Sequence, residues 1–392
     1  MERPSVTKPV RFIFLLSAYV GTVFGVGIYG LPYVVSRTGI FVFLGFLLLT
    51  GFLVYLVNLV YADVVSRDQD NRRFIGYIRE YVGNRAAKIF LWINIASYWG
   101  TLLVYLLVWG KFAQLIISPG GSIPEIAFSL LLFVLTSIII YRGSKTVVWF
   151  DTIFLVGVLL LFVVFAVIGA QHVGEIPTRI VNASSAILPY GTILFALWGV
   201  SIIPEIVNHS RQKLANVKRV IVVGLIFAAV MYVAFALFVS SISGSGTTKE
   251  AFEGLEPFLG RTAIVIGSCI GIITIFLSYI NLGWSARNML HFDMKANRVQ
   301  ALALLLLPPL ILCIAGLDNL VVIMGVVGAI FLGLNGMMIF YLYFKSKFHL
   351  NHGTLLLTRP VSKTFIIIGI ILFSIGVCIE FGSVLIETMF GT

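Results

Sequence analysis

Gly25-Val-Gly27-Ile-Tyr-Gly-Leu-Pro32 and Gly199-Val-Ser-Ile-Ile-Pro204 decide how this chain is read. Each lies in a strongly apolar segment, and each runs from a glycine to a proline five positions on, Gly27 to Pro32 and Gly199 to Pro204. In hydrocarbon every backbone N–H and C=O needs a partner inside the protein. Helix-breaking residues at corresponding places in two membrane spans therefore mark backbone that lines a cavity. Unwound backbone near the midplane is where a transporter can hold its cargo.

The rest of the chain supplies the membrane. A mean hydropathy of +1.05, with 59% hydrophobic and 11% charged residues, excludes a soluble globular domain. Crossing about 30 Å of hydrocarbon takes roughly 20 residues of helix. Stretches of this kind run from Phe12 to Tyr33, Ile40 to Tyr61, Lys88 to Ile117, Pro124 to Tyr141, Val148 to Ala170 and Ile187 to Asn208. They continue from Val217 to Ser240, Thr262 to Trp284, Val299 to Ala315, Asn319 to Phe344 and Phe365 to Ile386, which makes an all-α polytopic membrane protein. Five spans precede the outer loop 171–186 and five follow it. Two halves of odd span number insert with opposite topology, which predicts a 5+5 inverted repeat whose first helices carry the breaks. The expected units are a leader 1–11, a first repeat 12–170, the loop, a second repeat 187–344, a linker 345–364 and an eleventh helix within 365–392. The loop between Asp63 and Arg85 has the spacing of a short amphipathic surface helix, and Ser241 to Arg261 reads as a flexible turn leading into a short helix. The first apolar run has no small-residue cleavage site, so it is expected to remain as a helix.

The net charge of +11 is explained by topology. With an inside N-terminus, 22 of the 27 Lys and Arg residues fall on the inner side, and only Arg37, Lys111, Arg179, Lys249 and Arg261 fall outside. The positive-inside rule then places the N-terminus in the cytoplasm and the C-terminus outside, in a cell membrane, with the lipid bilayer and not nucleic acid as the partner. Cys269, Cys313 and Cys378 lie in apolar spans and read as small buried hydrophobes, with no metal knot. No P-loop, H-E-x-x-H or C-x-x-C occurs, so neither a cofactor nor an enzyme is expected.

Gly21-Thr22, Gly25, Gly27-Ile28 and Leu31-Pro32 together resemble the signature of the amino acid/auxin permease family, within the amino acid-polyamine-organocation superfamily. Phe195-Ala196, Gly199 and Ile203-Pro204 resemble that family's second broken helix, and Gly100, Tyr105 and Gly110 match its third-helix spacing. The resemblance covers Phe12 to Phe344 and implies a LeuT-type fold and amino acid transport.

A zwitterion needs donors for its carboxylate and acceptors for its ammonium, and broken helices supply both from backbone. Amides around Val26, Gly27 and Ile28 would meet the carboxylate. Carbonyls from Gly21 to Phe24 and from Phe195 through Ala196 to Trp198 would meet the ammonium. Gly25 and Gly199 allow close approach, and Thr22 could add a hydroxyl. Phe195, Trp198, Tyr98 and Tyr105 are candidate pocket walls. The plainer reading is that these glycines serve helix packing alone and the aromatics the core. Neither break carries a charged residue, which points to a neutral cargo.

The resemblance also bears on the coupling ion. Sodium in this fold would sit between helices 1 and 8, near Gly21, Phe24, Thr274 and Ser278. Sodium-coupled relatives carry adjacent hydroxyls on helix 8 and an Asn in helix 1. This chain has Leu277 before Ser278 and has Gly21. Two oxygen ligands are lost, so proton coupling is expected over sodium, with Glu205, just after Pro204, as the candidate carboxylate. Lys111 and Asp151 are read as snorkelling from span ends, and Glu380 as an interface or oligomer residue. The alternatives are a channel or facilitative uniporter, which would show a polar-lined open pore, and an intramembrane enzyme, which would need clustered polar groups at depth.

Overall fold

The computed structural model describes residues 12–68, 72–142, 167, 169–178, 187–210, 213–294, 296–349, 356–357 and 361–390. Helices account for nearly all of them. The first span is split into α1 (Phe12–Val23) and α2 (Gly27–Thr38), bent by 56° across residues 24–26. Next come α3 (Ile40–Arg67), the short amphipathic α4 (Phe74–Tyr81), α5 (Asn84–Ile117) and α6 (Glu125–Arg142). The second broken span is α7 (Leu188–Leu197), a 3₁₀ turn over Val200–Ile202 and α8 (Ile203–His209). After it run α9 (Ala215–Ser243), α10 (Glu256–Met294), α11 (Arg298–Ile314), α12 (Leu320–Val326), α13 (Gly333–His349) and α14 (Lys363–Phe390). A π-helical segment, Val327–Leu332, joins α12 to α13. Eight of the described helical segments are long and apolar enough to cross a membrane, the bent α1–α2 pair makes a ninth, and α11 is a shorter apolar helix. The span expected over Val148 to Ala170 falls almost wholly outside the described residues, as does Asp151.

Glycine sets how closely these helices approach. A methyl on Gly191 of α7 would run into the Gly325 carbonyl of α12, one on Gly328 would meet α7 backbone, and one on Gly100 of α5 would strike Val327. Without a hydrophobic driving force between helices in lipid, such small-residue contacts are what let backbones pack. Where a proline breaks the hydrogen-bond ladder, a neighbour repairs it. Pro308 has no N–H for the Leu304 carbonyl, and the Trp99 indole donates to that carbonyl at 2.8 Å, tying α11 to α5.

α5 and α10 run antiparallel with a regular ladder between them. Tyr98 faces Ser285, Tyr105 faces Ser278, and the Phe112 ring fills the place a side chain on Gly271 would take. Each step is seven residues on both helices, two turns, so large aromatics meet small partners on one seam. At the membrane face where α1 begins, Asp63 is fully buried in a 2.6 Å pair with Arg67 and accepts from the Leu357 backbone N–H at 3.3 Å.

Two expectations need correction. Cys269 and Cys378 are exposed on the bundle surface and Cys313 is partly so, because in hydrocarbon a thiol on the lipid side costs nothing that would drive it inward. Lys111 does not snorkel. Its amine is held between Glu125 at 3.1 Å and Glu253 at 2.9 Å, which satisfies the charge where it stands.

Candidate functional site at the paired helix breaks

The first break is local and clean. Phe24 N–H still reaches the Val20 carbonyl at 2.7 Å, Gly25 N–H turns to Val23 at 2.9 Å, and the helix restarts at Gly27. α2 has no side-chain cap, so the first amides of a 12-residue helix point into the break without an intrahelical acceptor. That is a carboxylate-binding arrangement, with the positive end of the helix dipole behind it. The second break follows from Trp198, whose backbone is extended (φ −72°, ψ 98°), and the helix resumes through Pro204, tolerated near the start of α8.

The two breaks abut. A methyl on Gly27 would stand 2.8 Å from the Ala196 Cα and 3.3 Å from the Phe195 ring, and one on Gly199 would stand 2.7 Å from Val23. Gly27 is thus a contact between α2 and α7 as well as a donor position. Gly25 is looser, its nearest neighbour being the Tyr105 hydroxyl at 3.1 Å. Val26 and Ile28 are buried, while Phe195 and Trp198 keep part of their surface open.

Tyr232 of α9 joins the breaks chemically. Its hydroxyl lies 2.7 Å from the Val23 carbonyl and 3.0 Å from the Ala196 carbonyl, one proton shared between the ends of α1 and α7. These are two of the carbonyls expected to face an ammonium. The structure gives them to Tyr232 instead, since a buried carbonyl left without a donor costs about 1–3 kcal/mol. The Phe24 ring packs on Tyr232 at 5.1 Å. Below, the Tyr19 ring fits against Gly199 and Gly224 and its hydroxyl accepts from Asn58 at 2.8 Å. Composition and spacing carry no sign of Tyr232. It is a lone polar aromatic in the run from Ile226 to Val239, and only the fold sets it opposite both breaks.

The other expected residues divide. Tyr105 reaches the site, between Gly25 and Ser278. Tyr98 does not. It lies seven residues away beside Ser285, near Tyr61 and Arg73 where α3 and α4 meet, because the seam advances two turns between the two tyrosines. Thr22 turns its hydroxyl back to the Ala18 carbonyl at 2.8 Å, and Thr274 does the same to Gly271. Gly21 and Ser278 are on helices that pack chiefly elsewhere, α10 against α5, α6 and α11, and α1 against α9. Glu205 is exposed on α8, away from buried partners. Glu380 is directed inward, its carboxylate against Gly325 of α12.

An aromatic cluster lies on the opposite side of the breaks from Tyr19. Phe252, fully buried, stacks on Phe112 at 4.8 Å, with Tyr29 edge-on to both at 5.5 and 4.9 Å and Phe235 beside them. Ala251 just before it holds a positive φ of 71°, strain that buys the inward turn of the ring. The Lys111–Glu253 pair and the Arg261 guanidinium, which donates to the Leu115 carbonyl, pin this loop to α5. Burial, helped by the nearby Glu125 and Glu253 charges and opposed by Lys111, pushes the Glu250 carboxyl above its ordinary range.

Two unwound helices whose breaks abut inside a helical bundle are the arrangement of an integral membrane transporter of the LeuT fold. A model of the family described as amino acid permease matches residues 11–292, and the chain belongs to that family and to amino acid transport. Among solved structures it superposes on the crystal structure of MhsT in complex with L-phenylalanine with a TM-score of 0.65. That match covers 95% of this chain and 98% of the other at 17% identity, which speaks to the fold. No curated protein matches the chain in sequence.

Proposed function

We propose that this chain is a secondary transporter of neutral amino acids working by alternating access, with the N-terminus in the cytoplasm and the C-terminus outside a cell membrane. The observation that carries the reading is the contact of the two breaks, Gly27 on Ala196, with the uncapped start of α2 between them and no charged side chain in either. The cargo's carboxylate sits on the amides of Gly27 and Ile28, and Tyr105, Phe195 and Trp198 wall its side chain. The neighbour's L-phenylalanine is a neutral amino acid and agrees with this cargo class. The two five-helix halves act as inverted repeats.

Proton coupling is favoured over sodium because the seat between α1 and α10 is poor in oxygen. Gly21 and Leu277 carry no side-chain oxygen, and Ser278 faces Tyr105. Facilitative uniport is the second reading, favoured by the exposure of Glu205, which leaves no buried carboxylate at the breaks among the described residues. Uptake into proteoliposomes tests all three. An inward proton gradient in sodium-free buffer is expected to drive accumulation of neutral amino acids and not of lysine or glutamate. Accumulation driven by sodium alone at symmetrical pH would refute the ion assignment, and equilibration without accumulation would establish uniport.

A further inference from the structure

The first turns of α9 hold a second feature. Ala215, Lys218, Arg219, Val222 and Val223, with Leu356 from the segment before α14, line a cavity of about 430 Å³ open to the outside of the bundle. No acid lines it, and neither cation has an ion pair among the described residues. Its wall is fixed, because Leu357 is hydrogen-bonded to the buried Asp63, whose charge is already matched by Arg67. Among the described residues, no carboxylate competes with a ligand for those two cations. From Arg219 the exposed face of α9 continues through Val223, Ile226 and Val230, the last two about 60% exposed. The spacing of four, three and four residues keeps them on one face. Eleven residues of helix rise roughly 16 Å, close to the roughly 15 Å of hydrocarbon in one leaflet. Two cations at the membrane surface thus head an apolar stripe that ends near the midplane.

We propose that this groove is a binding site for one anionic phospholipid, its headgroup phosphate between Lys218 and Arg219 and an acyl chain along Val223, Ile226 and Val230. A soluble anion would use the cations and leave the stripe bare; a zwitterionic lipid would cover the stripe and lack the charge that two unpaired cations favour. The lipid belongs to the leaflet on the side where α1 begins, since the cavity wall sits on the end of α3 at that face.

The test is native mass spectrometry of the detergent-purified full chain titrated with phosphatidylglycerol or phosphatidylcholine. Wild-type protein is expected to retain one phosphatidylglycerol and to release phosphatidylcholine. The double variant Lys218→Gln, Arg219→Gln is expected to bind phosphatidylglycerol roughly 25-fold more weakly, about fivefold for each surface cation. The control Arg85→Gln, Lys88→Gln, two exposed cations at the start of α5, is expected to bind as wild type. Ile226→Asn, which keeps both cations, gives a second reading and is expected to weaken retention as well. Equal retention by the Lys218/Arg219 double variant, equal loss in the control, or displacement of the lipid by inorganic phosphate would each overturn the proposal.

Discussion

At the scale of single residues, the site is governed by how little room a side chain has. Gly27→Ala places a methyl against Ala196 backbone, a contact that no rotamer can relieve, so about 1–3 kcal/mol of overpacking pushes α2 off α7. Uptake is expected to fall at least tenfold while the bundle still folds. Gly25→Ala meets only the end of Tyr105 and is expected to keep most activity. Equal uptake by the two variants in proteoliposomes would mean that the breaks do not work as a pair. Tyr232→Phe keeps the ring on Phe24 and removes the one proton shared by Val23 and Ala196. It is expected to lower thermal stability by about 1–3 kcal/mol, the cost of stranded carbonyls. An unchanged melting temperature together with unchanged substrate affinity would show the bridge to be incidental.

At the scale of elements, the loop between α9 and α10 is held by a ring and by charges. Phe252 supplies the ring, and Glu250 sits among Lys111, Glu125 and Glu253 with its pKa raised by burial. A carboxyl whose pKa is higher in the folded loop than in the free chain binds its proton more tightly there. Its contribution is therefore present in acid and is lost as pH rises through the raised value. Amide exchange across residues 247–255, corrected for intrinsic rate, is expected to show less protection as pH rises above the ordinary carboxylate range, and Glu250→Gln is expected to flatten the dependence. A wild-type loop whose protection rises with pH would contradict this. This element was only partly legible in the sequence. Gly244-Ser-Gly246 marked the turn, and the 3₁₀ turns over Gly244–Gly246 and Glu253–Leu255 are there, but the burial of Phe252 depends on Phe112 and Tyr29, far away in the chain. α4 was legible because Phe74, Ile75, Tyr77 and Ile78 spaced beside Arg79 and Glu80 make a local amphipathic pattern that a membrane surface selects.

At the scale of the whole molecule, charge asymmetry is the basis of the proposed orientation. A reporter fused after Thr392 is expected to be active only outside the cell and one fused before Met1 only inside. The reverse result would invert every assignment of side and leaflet made from the count of Lys and Arg. The last helix, α14, packs firmly on the bundle. Phe373 packs on Phe340 at 6.0 Å and on Gly336, and Gly376 makes room for the Tyr190 ring of α7, so α14 braces α13 and α7.

Apart from the span expected over Val148 to Ala170, which falls almost wholly outside the described residues, the sequence by itself located the membrane-crossing helices and the positions of both breaks. Those depend on local hydropathy and on the backbone chemistry of glycine and proline, which act within one helix. It also showed that neither break carries a charged residue, since a missing residue type can be read without a structure. Which groups complete the site was decided by tertiary packing alone. Tyr232 meets Val23 and Ala196 across more than 30 residues on one side and about 200 on the other, and Tyr98 and Tyr105 differ only in which turn of α10 they face. A hydroxyl in an apolar helix has no preferred partner until the helices pack, and then the cost of leaving it or a freed carbonyl unpaired selects one arrangement.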